Sequence, residues 1–174
     1  MRSENKKIES LVGTKVTLKP LHESFFDEYH RMFSPTVRAM LHLTQTAPIE
    51  ETRKFLSGWL KTTKVDEKFF FCIFDNQDQC LIGALEIREP DCPNGQMGAW
   101  LNENYWGGGR YQEALGLALN WYSAYTGRTT VGCMIDVRNA RSLRAHQKYG
   151  FVIVGEKMFE GRRLYCLEHT KINV

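Results

Sequence analysis

A chain of 174 residues with 43% hydrophobic and 25% charged residues has the size and make-up of one globular domain able to bury a full core. Its formal net charge of +3 is too small to argue for a nucleic-acid partner, and no apolar run approaches the length of a membrane span. Five cysteines (Cys72, Cys80, Cys92, Cys133 and Cys166) form no CxxC pair, so free thiols in a reducing cytoplasm are expected and a metal site is not.

Residues 1–9 are polar and lack the apolar core of a signal peptide. They read as a flexible N-terminal tail ahead of a single domain over residues 10–174. Lys15-Val-Thr-Leu-Lys19 alternates like a strand. From Glu23 to Phe33, the residues Phe25, Phe26, Tyr29, Met32 and Phe33 recur at helical spacing, an aromatic stripe expected to pack into the core. Pro35 ends that helix. A short segment follows around Val37–Leu43, then a helix from Pro48 to Lys61 with Phe55, Leu56, Trp59 and Leu60 on its apolar face. Lys68–Phe74 reads as a buried strand, turned by Asp75–Asp78 into a second strand over Leu81–Arg88. Asp91–Gly95 is expected to turn the chain again into Gln96–Leu101.

Tyr105-Trp-Gly-Gly-Gly-Arg-Tyr-Gln-Glu113 then joins a strand to a helix through three consecutive glycines. Glycines allow a tight turn and close approach of the backbone. The first N–H groups of the helix that follows are unpaired and lie at its positive end, so the layout suits an anion. No Gly-Lys-Ser/Thr follows the glycines, which disfavours a nucleoside-triphosphate site. Thr129–Val137 reads as a further strand. Asn139 stands where a helix N-cap belongs and Gly150 where a C-cap belongs, with another strand from Phe151 to Gly155. A hairpin meander followed by β-α-β-α-β gives a mixed sheet with helices on its faces.

This order of strand, glycine cradle, helix, strand, Asn-capped helix, Gly-Phe and strand resembles the core of the GNAT acyltransferases, which use acetyl-CoA. The resemblance covers about residues 80–155 closely and the rest in outline. Tyr105-Trp106-Gly107-x-Gly109, and Asn139-x-x-Ser142 with Gly150-Phe151, look most like the branch of ribosomal-protein and spermidine N-acetyltransferases. The resemblance implies an α/β (α+β) fold with a mixed, mostly antiparallel central sheet flanked by helices on both faces. It implies acetyl transfer from acetyl-CoA to a primary amine, a protein or peptide N-terminus first and a small amine second, in a cytoplasmic protein that needs no metal. Relatives often pair through sheet edges or helices, so a homodimer is compatible with it. The acceptor groove should come from the variable helices near residues 22–62.

Carried over residue by residue, the main chain of Ala99, Trp100 and Leu101 would line the pantetheine. Trp106 takes the place of the family's leading Gln or Arg, and Gly107, Gly108, Gly109, Arg110, Tyr111 and Gln112 would hold the pyrophosphate. Asn139, Ser142 and Arg144 belong to the second cofactor segment. One departure stands out: Tyr111 replaces the usual Gly or Ala, so its ring either crowds the phosphates or swings aside. Arg141, Arg144 and Lys148 share one helix face, either a solvated basic surface or a contact to the cofactor's phosphates. Arg110, inside the cradle, is the first choice for a single cofactor charge.

The reaction needs a base for the ammonium and a proton for the departing thiolate. His146 occupies the place where many relatives carry a proton-donating tyrosine, although it could equally be structural, and Tyr149 is the substitute. Glu86 falls opposite Leu85 and Ile87 on its strand, where it is either a solvent-facing residue or a base acting through water. If acid and base both fail, the alternative is a degenerate domain that binds coenzyme A or another ligand without catalysis.

Overall fold

The computed structural model describes residues 8–62, 68–88 and 95–170. The expected turn over Asp91–Gly95, most of the expected tail and Cys92 lie outside the described residues, apart from the Gly95 backbone. Eight strands form one sheet: β1 (Leu11–Val12), β2 (Val16–Pro20), β3 (Lys68–Asp75), β4 (Leu81–Arg88), β5 (Gly95–Leu101), β6 (Val131–Asp136), β7 (Val152–Phe159) and β8 (Arg162–His169). Their spatial order is β1-β2-β3-β4-β5-β6-β8-β7. Every neighbouring pair is antiparallel except β5 with β6. Helices α1 (Phe26–Met32), α2 (Pro35–Met40) and α3 (Ile49–Thr62) come before β3 in the chain, α4 (Arg110–Thr126) crosses from β5 to β6, and α5 (Ala140–Tyr149) follows β6. The mixed, mostly antiparallel sheet expected from the sequence is present.

Two apolar layers hold the helices to the sheet. One joins Phe71, Ile73, Leu85 and Ile87 to Ala114, Leu115, Ala118, Leu119 and Tyr122 of α4. The other joins Phe70, Cys72, Phe74, Ala84 and Trp100 to Phe26 and Tyr29 of α1, Val37 of α2, and Leu56 and Trp59 of α3. Alternation along β3 and β4 sends successive side chains to opposite layers, and both faces are covered.

Three local readings change. The aromatic segment begins as a 3₁₀ turn over Glu23–Phe25 before α1. Pro35 does end α1, but it also opens α2, where its fixed φ and missing N–H suit the first helical position and Ser34 caps Val37 N–H. The chain also continues past Gly155 into a long hairpin, β7–β8, turned at Glu160 and Gly161, both with positive φ. Along β7, Val152, Ile153, Val154, Met158 and Phe159 remain exposed at the sheet edge.

The site depends on one irregularity. β5 pairs with β4 along its length, from Gln96 to Leu101. Among the described residues it pairs with β6 only at Gly95, Gln96 and Met97. Beyond Met97 the two strands part, and the backbone edge of Gly98, Ala99, Trp100 and Leu101 faces a gap on the β6 side.

Candidate active site

The glycine segment opens onto that gap. Gly107, Gly108 and Gly109 have φ of +86°, +63° and +81°, a run of left-handed backbone that side chains would strain. Gly109 starts α4 without a side-chain cap, so the first N–H groups of the helix are left for solvent or a ligand. Trp106 Nε1 donates to Leu101 O at 2.8 Å, locking the cradle to the end of β5. Opposite stands α5, capped by Asn139, whose side chain accepts from Ser142 N–H at 3.1 Å. The Arg141 guanidinium lies 3.8 Å over the Trp106 ring. Between these elements is a cavity of about 460 Å³ lined by the glycines, the Ala99–Leu101 strand, Tyr111, Gln112, Asn139, Ser142 and three cations, Arg141, Arg144 and Lys148. None of the three cations has an ion-pair partner among the described residues.

A second cavity, of about 440 Å³, lies toward α1, α2 and α3. Leu41, Ala99 and Trp100 border both cavities, so the two meet where β5 leaves β6. Its walls are aromatic: Tyr29, Phe33, Phe55, Phe70 and Trp100. Trp100 Nε1 donates to Tyr29 Oη at 3.1 Å, which fixes that wall. Glu86 projects into it on the Ala84 side of β4 and lies 3.0 Å from the Arg88 guanidinium. Burial pushes the Glu86 carboxyl up from its ordinary value, and the charges of Arg88 and Lys68 offset part of that rise. Gly98 makes the room: a Cβ there would stand 3.0 Å from Glu86 Oε1. At the far end of the gap, His42 Nε2 lies 2.9 Å from the Asp136 carboxylate and ties the loop after α2 to β6.

The acetyltransferase (GNAT) domain profile matches residues 15–152. The chain belongs to the GNAT acetyltransferase family. No curated protein sequence matches it. Among solved structures it is similar to RimL, a ribosomal L7/L12 alpha-N-protein acetyltransferase in complex with coenzyme A, at 18% identity and a TM-score of 0.80 over 94% of this chain and 99% of that one. A Salmonella typhimurium acetyltransferase that modifies the N-terminal serine of the same ribosomal protein superposes with a TM-score of 0.81 at 19% identity, covering 93% and 99%. The ribosomal-protein-S5-alanine acetyltransferase of Vibrio fischeri gives 0.75 at 18% identity, covering 93% and 96%. Likeness at these identities establishes the GNAT fold. Among the described residues no helix is long and apolar enough to cross a membrane, and no group of three or more His, Cys, Asp or Glu is placed to hold a metal.

The GNAT pattern makes two departures in this chain intelligible together. Tyr111, where relatives carry Gly or Ala, turns its ring into the core, and its hydroxyl lies 3.1 Å from His146 Nε2. His146 is 5% exposed. Its Nδ1 lies 2.8 Å from the Ser142 carbonyl, so Nδ1 carries the proton and donates, and Nε2 accepts from the Tyr111 hydroxyl. Burial holds the imidazole pKa below its usual value and keeps the ring neutral. Both nitrogens are committed inside the protein, and the ring does not line either cavity. Of the two readings of His146, proton donor or structural residue, this geometry favours the structural one, a buried hydrogen-bonded pair with Tyr111. Accordingly, Tyr111→Phe should destabilise the fold by about 1–3 kcal/mol, the penalty for stranding a buried acceptor. His146→Ala should destabilise it similarly while leaving kcat within a few-fold, readable by denaturant titration beside initial rates.

Two further expectations change. Arg110 does not reach the cleft: its Nε donates to Asp75, a carboxylate 1% exposed at the end of β3, and the pair anchors the start of α4 to the sheet. Tyr149 leans on His169 and Phe151 and points its hydroxyl toward Gly116, away from both cavities. Ala99, Trp100, Leu101, Trp106, Gln112, Ser142 and Arg144 do border the cleft. The sequence reading missed Arg38, a buried cation in the aromatic cavity, for which the only signal was an arginine inside the apolar run Val37-Arg-Ala-Met-Leu41.

Proposed function

We propose that the protein transfers an acetyl group from acetyl-CoA to a primary amine, with a peptide or protein N-terminus as the first acceptor class and a small amine as the second. What supports this reading is the meeting of two unlike cavities at Leu41, Ala99 and Trp100. The glycine side offers backbone N–H groups and three unpaired cations, suited to a phosphorylated cofactor. Asn139 orders the first turn of α5 so that Ser142, Arg144 and Lys148 face the cleft. The strand edge beyond Met97 suits an extended chain bearing amides, such as pantetheine. The RimL structure with coenzyme A supports the same choice of donor.

Acetyl-CoA supplies the activated acyl thioester. Glu86, at the acceptor end, takes a proton from the incoming ammonium, directly or through one water. Its raised pKa makes it a stronger base than a solvated carboxylate. The freed amine attacks the acyl carbon, the carbon–sulfur bond breaks, and the second proton of the attacking nitrogen passes to the departing sulfur. No separate side-chain acid is needed, consistent with the inward commitment of His146.

Coenzyme A should raise the melting temperature, since a ligand bound to the native state alone stabilises it by about 2.7 kcal/mol at a hundred times Kd. For a domain of this size that is roughly 5–10 °C, and the shift should shrink in high salt as the cations of α5 are screened. Thiol release from acetyl-CoA across a panel of peptides and small amines tests the transfer itself. No thermal shift at millimolar coenzyme A would overturn the reading.

A further inference from the structure

The aromatic cavity contains a charge that no carboxylate among the described residues matches. Two cations line it, Arg38 and Arg88. Arg88 is half exposed and pairs with Glu86. Arg38 is only 9% exposed, and no carboxylate stands within ion-pair distance of it among the described residues. Its Nε donates to the Thr44 carbonyl at 2.6 Å, one terminal nitrogen reaches Thr44 Oγ1 at 3.5 Å, and its guanidinium lies 5.2 Å from the Phe33 ring centre. A carbonyl, a hydroxyl and a ring face orient the group without neutralising it. Taking a guanidinium out of water is expensive unless an anion compensates. Its remaining N–H donors form the planar fork that matches a carboxylate. On another wall of the same cavity, Glu86 offers a part-buried carboxylate. Tyr29 stands between these influences: the Glu86 charge and the Arg38 charge act on its hydroxyl with opposite sign.

We infer that the acceptor is a zwitterion, with its reactive ammonium toward Glu86, a neighbouring carboxylate on Arg38, and an apolar body against the Tyr29, Phe33 and Trp100 rings. The inference rests on the acetyl-transfer reading and narrows it. A polyamine fits poorly, because it brings several positive charges and no anion to a cavity in which Arg38 already stands without an ion-pair partner among the described residues. The carboxylate can belong to a free apolar amino acid or to an acidic side chain at the start of a peptide; both present the same pair of charges.

Matched acceptors separate these outcomes. Phenylalanine is compared with phenylalaninamide and phenethylamine, and peptides beginning Asp-Phe or Glu-Phe with their Asn and Gln counterparts. The carboxylate member of a pair should have kcat/KM at least tenfold higher, and whichever pair shows the preference identifies the source. Arg38→Gln keeps a donor for the Thr44 carbonyl but removes the charge. It should abolish the preference, lowering kcat/KM for the carboxylate member at least tenfold more than for the amide member. A merely structural arginine would lower both alike. Equal turnover of acid and amide by the parent protein would overturn the inference and leave acetyl transfer standing. If no amine is acetylated, the transfer reading fails, and thermal shift with the same compounds still decides the pocket: stabilisation by the zwitterions but not the amides supports it, and no difference sinks it.

Discussion

Glu86→Gln is expected to lower kcat by roughly 10²–10⁴-fold while leaving coenzyme A affinity unchanged, the loss typical of removing a positioned base. The residue borders the aromatic cavity and not the glycine side, so cofactor binding and chemistry should separate cleanly. The parent protein should gain activity as pH rises through the Glu86 pKa, which burial places above the ordinary carboxylate value of 4.5. That acidic limb should vanish in the glutamine variant. Stability should move the other way. A carboxyl whose folded pKa is raised favours folding most below its unfolded pKa, and that contribution is lost as pH rises through the folded one. At neutral pH and above, the glutamine variant should therefore melt no lower than the parent, since the Arg88 partner is half exposed and its contact worth little. A variant that loses activity and melts several degrees lower would instead mark Glu86 as a structural residue.

The largest loss of stability is expected from Glu113→Ala. In the first turn of α4 this carboxylate accepts from the N–H groups of Thr14, Lys15 and Val16 at 3.1, 2.7 and 2.8 Å, and from the Thr14 hydroxyl. It thereby closes the turn between β1 and β2 and fastens it beside the glycine cradle; Gly13 packs so closely that a Cβ there would meet Glu113 Oε2 at 2.6 Å. Hydrogen bonds to a charged acceptor are worth more than neutral ones, and several amides would be left unpaired, so about 3 kcal/mol is expected. That corresponds to roughly 6–12 °C in Tm. These contacts hold the Glu113 pKa below its ordinary 4.5. Its contribution is therefore present above the unfolded value and disappears as pH falls through the folded one. The difference in Tm between parent and alanine variant should accordingly be full at pH 7 and narrow steadily below pH 4.5. A constant difference across that range would exclude the carboxylate as its source.

The sequence made the cradle, the Asn139 cap, the Gly150 C-cap and the placement of Glu86 legible because each is local. Glycine runs, cap residues and strand alternation act within a few residues and leave a readable spacing. Bonds between distant residues leave none. Read separately, Tyr111 looks like a misfit and His146 like an acid or a structural residue, and only their 3.1 Å contact shows one residue accommodating the other. Arg110 looked like a phosphate ligand because it sits in the cradle, but Asp75, 35 positions earlier, claims it. The aromatic stripe from Phe25 to Phe33 was read as core, and Phe26 and Tyr29 do pack there. That Tyr29 and Phe33 also wall a cavity follows from how α1 lies on the sheet, which helical spacing alone does not specify. The hairpin ending in β8 leaves little trace in the sequence, since no glycine-led motif advertises it beyond Glu160-Gly161.

The parting of β5 from β6 has a mechanical consequence. Among the described residues three paired positions stitch the two halves of an eight-stranded sheet together at this seam, whereas β3 and β4 share seven. The seam with the shortest described pairing thus lies beside the place where the two cavities meet, and there the sheet should yield most easily. An extended ligand whose amides bond along the open edge would lengthen the stitch and stiffen the seam. Slower amide hydrogen exchange along Gly98–Leu101 and Met134–Asp136, with little change in β3 or β4, would be the signature of a sheet completed by what it binds.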